Sequence, residues 1–186
     1  MPNWCSNSLR VENATSEQIK RITKAADANQ LLNDFLPIPE GYAESGDWYL
    51  WCSYTWGTKW DIRDAFVVTD EDSVELHFNT AWSPPSEHFF EEMSRQLPGV
   101  YISNRYTEPG MDYCGYTKAS DGSVTDVCID IDPVFREWLK ESYTYDEILV
   151  YDDWDHKDHG KVCDRIREAW DEVSDDVLDE ALSYNN

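Results

Sequence analysis

The chain has 186 residues, with 38 Asp and Glu against 15 Lys and Arg and a formal net charge of −23. That balance argues against direct binding to a nucleic-acid backbone, which needs clustered cations, and against anionic membranes. A hydrophobic share of 41% and an aromatic share of 14% are enough for a core and exclude wholesale disorder.

At this length one domain with an appendage, or two small domains, is expected. No apolar run approaches the ~18–20 residues needed to span a bilayer. The opening MPNWCSNSLRVEN lacks the basic segment and apolar run of a secretory signal, so a bacterial cytosolic location is expected. Cys5, Cys52, Cys114, Cys128 and Cys163 are odd in number and form no CxxC pair. In a reducing cytosol they read as small buried hydrophobes rather than disulfides or zinc ligands.

Ser6–Val11 alternates polar and apolar and predicts a first strand with Leu9 and Val11 inward. Thr15 or Ser16 caps a helix from Ser16 towards Ala28, and a short helical piece follows over Leu31–Phe35. Residues 37–47, rich in Pro, Gly and acid, are expected to be a loop. Ala65–Val68 and Val74–Asn79 form a hairpin, Ser86–Gln96 a helix with Phe89, Phe90 and Met93 on its core face, and Val100–Tyr106 a strand. Tyr113–Lys118 and Val124–Ile131 flank Asp121-Gly122, a strong hairpin signal. The resulting βαββαβ order predicts an α+β, ferredoxin-like antiparallel sheet with helices on one face and an added hairpin. The expected domain covers residues 1–132. Residues 133–186 form an acidic amphipathic helical region, expected to dock on that domain. From Asp152 onward it holds twelve acids against four bases, with Val162, Ile166, Ala169, Trp170 and Val173 on one stripe.

The organising stretch is WCSYTWGTKWD, residues 51–61, with an echo in AWSPP, residues 81–85. Trp51, Trp56, Trp60 and Trp82 surround one cation, Lys59. These five residues are candidate ligand- or partner-binding groups, because indoles stack on flat ligands and a lysine supplies the charge an anion needs. The structural alternative has the indoles fix the loop over the sheet, with Lys59 paired to Asp61 or another nearby acid. Gly57 marks a place where the backbone needs positive φ or close approach. Asp164, Glu168, Asp171, Glu172, Asp175, Asp176 and Asp179 recur at helical spacing and form a candidate acidic partner surface. His156, His159 and Cys163 are weak metal candidates: the H-E-x-x-H and EF-hand spacings are absent, and a solvated polar turn accounts for the segment. No P-loop, G-x-S-x-G or G-x-G-x-x-G occurs, so neither catalysis nor a cofactor is expected.

Four motifs occur in order: Met1-Pro2-Asn3-Trp4-Cys5-Ser6-Asn7, Phe35-Leu36-Pro37-Ile38-Pro39, Trp56-Gly57-Thr58-Lys59-Trp60-Asp61 and Ala81-Trp82-Ser83-Pro84-Pro85. Together they resemble the YubB-like proteins of plasmids and phages, over roughly residues 1–130. The resemblance implies a ferredoxin-like domain and a mobile-element setting, and supplies no catalytic residues.

Two functions are therefore expected from different classes. The first is a non-enzymatic accessory protein of a phage or plasmid. It would bind a basic host protein, nucleic-acid-binding or defence-related, through a DNA-like acidic surface. The second is a small-molecule or nucleotide-binding protein using the tryptophan-rich Lys59 site.

Overall fold

Strand β1 (Trp4–Glu12) turns Cys5, Asn7, Leu9 and Val11 to the interior and its alternate residues outward, as the period of two demands. In the computed structural model, which describes residues 3–184 without the side chains of residues 43–45, β1 lies between β3 (Ser73–Ala81) and β4 (Tyr101–Glu108). It runs antiparallel to both, from Trp4↔Ala81 to Glu12↔Ser73 and from Ser6↔Thr107 to Glu12↔Tyr101. The six-stranded sheet has the order β2-β3-β1-β4-β5-β6, with β2 at Arg63–Thr69, β5 at Tyr113–Ser120 and β6 at Ser123–Asp130. Asp121 (φ +49°) and Gly122 (φ +81°) join β5 to β6 with positive φ at both central residues, the turn that Asp-Gly favours.

Helix α1 (Ser16–Asp27) starts at a reciprocal cap. The Thr15 hydroxyl accepts from the Gln18 N–H, and the Gln18 side chain accepts from the Thr15 N–H. The helix buries Ile19, Ile22, Ala25 and Ala26. Helix α5 (Glu87–Gln96), capped by Ser86, buries Phe89, Phe90 and Met93. These side chains share one core with Leu9, Val11, Phe35, Leu76, Phe78 and Ile102. Each such side chain contributes about 1.5–3 kcal/mol on full burial.

Residues 37–47 are not the expected loop. After α2 (Leu31–Phe35), helix α3 spans Glu40–Ser45 and α4 spans Trp48–Thr55. Pro39, at φ −62°, precedes the first turn of α3, where a missing N–H costs nothing, and Gly46 ends it at φ +81°.

The chain divides into two compact units, Met1–Cys128 and Ile129–Asn186. The second contains α6 (Ile131–Ser142), α7 (Tyr145–Asp152) and α8 (His159–Ser183). Helix α6 begins at Ile131, two residues before the helical region expected from residue 133, because the Asp130 carboxylate accepts from the Asp132 N–H and Pro133 fits a first turn. Thr144 and Glu147 form a reciprocal cap on α7. The Phe135, Trp138 and Trp170 rings lie 5.0–5.8 Å apart and tie α6 to α8. Among the described residues no helix is long and apolar enough to cross a membrane.

Candidate functional site

Gly57 brings the two tryptophan runs together. Its φ is +78°, and a Cβ there would lie 3.1 Å from the Ser86 nitrogen and 3.2 Å from the Pro84 oxygen. The crossing is therefore one that a glycine alone makes without strain. Hydrogen bonds to main-chain carbonyls lock it. The Ser86 N–H donates to the Trp56 carbonyl at 2.8 Å, the Ser86 hydroxyl to the Thr55 carbonyl at 2.6 Å, and the Ser83 hydroxyl to the Gly57 carbonyl. The buried Thr58 hydroxyl donates to the Ala81 carbonyl and accepts from the Ala81 N–H, both at 3.0 Å.

The next residue, Lys59, is held by rings rather than by a carboxylate. Its Nζ lies 4.7 Å from the Trp60 ring centroid, 5.3 Å from Trp82 and 5.5 Å from Tyr49. Among the described residues it forms no ion pair, so the expected partnership with Asp61 does not occur. Asp61 instead caps α2, accepting from the Leu32 and Asn33 N–H groups at 2.9 Å each and from the Ile62 N–H at 2.8 Å. Burial pushes its carboxyl above the usual carboxylate range, outweighing the three N–H donors that pull it down.

Trp82 sits at φ +72°, a conformation that costs a bulky residue about 1–3 kcal/mol. Two bonds hold it there: its N–H donates to the Asn3 carbonyl at 2.9 Å, and its carbonyl accepts from the Tyr113 hydroxyl at 2.5 Å. The Trp60 ring packs 6.2 Å from Trp4, and the Trp60 Nε1 is buried without an acceptor among the described residues.

The five candidate residues thus separate. Trp56 is buried and donates its indole N–H to the Leu36 carbonyl at 2.8 Å, with Trp51 packed edge-on at 5.5 Å. Trp56 thus belongs to the interior, and the half-buried Trp51 packs against the core beside it. Lys59 and Trp60, both half-buried, gather with the exposed Trp82 and with Tyr49 from α4. Sequence reading missed Tyr49. Its only signal was its place in an aromatic run just before the tryptophan-rich stretch.

On α8, Asp164, Glu168, Asp171, Glu172, Asp175, Asp176 and Asp179 are all exposed. Between Glu168 and Ser183 the helix carries seven acids and no Lys or Arg. The weak metal candidates do not converge. The His156 Nδ1 accepts from the Asp158 N–H at 3.1 Å, while the His159 Nε2 lies 3.2 Å from the Cys163 sulfur. Among the described residues no group of three or more His, Cys, Asp or Glu is placed to hold a metal ion. Cys5, Cys52 and Cys114 are buried as expected, but Cys128 is exposed and Cys163 half-buried. Cys128 lies on β6, several of whose side chains face outward. Burial pushes the Cys5 thiol up to about 12 and those of Cys52 and Cys114 up to about 11.

No curated protein matches the chain. Among solved structures, the crystal structure of a protein api92 from Yersinia pseudotuberculosis is similar at 12% identity and a TM-score of 0.45. The match covers 68% of this chain and 98% of that one. Residues 55–147, half of the chain, match the family described as the ferredoxin-like domain in Api92-like protein. That stretch takes in the Gly57 crossing, Lys59, β2 to β6 and α6, and the chain belongs to this family of ferredoxin-like, Api92-like proteins.

Proposed function

We propose that the protein is a non-enzymatic accessory protein of a mobile genetic element that binds a basic, nucleic-acid-binding host protein through the acidic face of α8. The observation that carries this reading is the exposed row from Asp164 to Asp179 on one continuous helix. At 1.5 Å per residue the row is about 22 Å long. Over that length duplex DNA presents about 13 phosphate charges, at roughly one per 1.7 Å. The seven carboxylates supply about half that density. This is enough to attract a cationic groove but too sparse for the helix to act without the rest of the −23 field. The resemblance of the four sequence motifs to those of YubB-like proteins is what supports a plasmid or phage setting.

A tagged pull-down from bacterial lysate at roughly 50 and 300 mM salt tests the reading. The expected result is a DNA-binding protein captured at low salt, released at high salt and displaced by added duplex DNA. Capture that added DNA leaves untouched would contradict it.

A further inference from the structure

We propose that Lys59 and the rings of Tyr49, Trp60 and Trp82 form a binding site for a planar aromatic anion of low charge, of the class of a nucleoside monophosphate. The inference rests on the first unit alone and is independent of the reading of α8.

Four features of the cluster point to a ligand. The Lys59 ammonium has no carboxylate partner among the described residues, in a chain where acids outnumber Lys and Arg by 38 to 15. Three aromatic faces at 4.7–5.5 Å hold the charge in place, and among the described residues its N–H donors meet no acceptor. Tyr49 and Trp82 are 38% and 39% exposed, so the walls of the cluster face solvent. The Trp82 ring is carried on a left-handed backbone that is pinned from both sides, by Asn3 and by Tyr113. Strain of this kind persists where the surrounding bonds over-determine a conformation, and it concentrates at ligand sites. Finally, the buried Trp60 indole N–H lacks an acceptor among the described residues, an unmet polar group in the same cluster.

The chemistry selects the ligand class. A cation would have to expel Lys59 from the rings. An anion completes the lysine's hydrogen bonds where they stand, while its flat part stacks on an exposed indole or phenol face. The field of a −23 molecule repels polyanions, which restricts the ligand to one small charged group on an aromatic body. A nucleic-acid strand, with a charge at every residue, fits poorly.

Isothermal titration calorimetry and tryptophan fluorescence against AMP, CMP, GMP and UMP, with adenosine and inorganic phosphate as controls, test the site. The expected result is binding of at least one monophosphate with a Kd below about 1 mM. Adenosine and phosphate alone should each bind at least about tenfold more weakly, because each lacks half of the recognition. Lys59→Met, which keeps an aliphatic stem, should lose at least about tenfold with an unchanged circular dichroism spectrum, and Lys59→Arg should retain binding. Failure of all four monophosphates to bind, equal affinity for adenosine and AMP, or undiminished binding by Lys59→Met would each overturn the proposal. The titrations of the unaltered protein with the four monophosphates and the two controls need no substitution and decide the matter even if the variants unfold.

Discussion

Trp56 is 2% exposed with its indole N–H bonded to Leu36, whereas Trp82 is 39% exposed on a left-handed backbone. Removing these rings should therefore have different consequences. Trp56→Ala is expected to cost about 3–5 kcal/mol, leaving a cavity against Trp51 and an unpaired Leu36 carbonyl. Trp82→Ala should leave the fold standing, and urea denaturation of the two variants separates them. At Asp61, Asp61→Ala strips the cap from three N–H groups and should cost about 1–3 kcal/mol. Asp61→Asn keeps an acceptor without a buried charge and should cost less. Equal losses in thermal melts would show that the charge itself matters. The buried thiols set an alkaline limit. The unfolded chain releases these protons near the ordinary thiol value of 9.0, while the fold holds them to about 11 or 12. Their contribution is intact below pH 9 and is lost as pH rises through that window. Thiol titration of the native protein at pH 8 should therefore modify Cys128 quickly and Cys163 more slowly, with Cys5, Cys52 and Cys114 reacting only after denaturation.

At the scale of elements, alternation in β1 and β3, the paired hairpin turns and the capped amphipathic helices α1 and α5 announced themselves. In each, a simple period coincided with a start or stop residue. Helices α3 and α4 did not. Pro37, Pro39 and Gly41 suggested a loop, although Pro39 before a first turn and Gly46 after a last one are helix punctuation. The α4 sequence WYLWCSYT is apolar or aromatic nearly throughout, so it shows no helical stripe against a polar background. The same blindness hid Tyr49. Lys59 and the tryptophans were legible as a cluster because of composition, but not which indoles face inward. The Gly57 crossing and the hydrogen bonds across to residues 81–86 decide that, and these are tertiary facts. Helix α8 offers an element-scale prediction. Six of its acid pairs stand at i,i+4 spacing, from Asp164/Glu168 to Asp176/Glu180, and like charges so placed oppose a helix by about 0.2–0.5 kcal/mol per pair. Replacing the seven candidate acids by Asn and Gln should raise the melting midpoint of the protein. A fall would mean that those carboxylates hold the second unit together.

For the whole molecule, a net charge of −23 on a folded chain is a standing cost in self-repulsion, and only an external partner turns it into affinity. Stability and binding should consequently respond in opposite directions to the same neutralisation. A structural role for the acids would move both the same way. Added salt should likewise stabilise the isolated protein while loosening its hold on a basic partner.

The most direct measurement is the affinity of the unaltered protein and of the sevenfold-neutralised variant for the same captured basic protein, side by side at roughly 50 mM salt. Loss of at least about tenfold in the variant, with an equal or higher melting midpoint, is the predicted result. Equal affinity of the two proteins would contradict the assignment of α8 as the binding face.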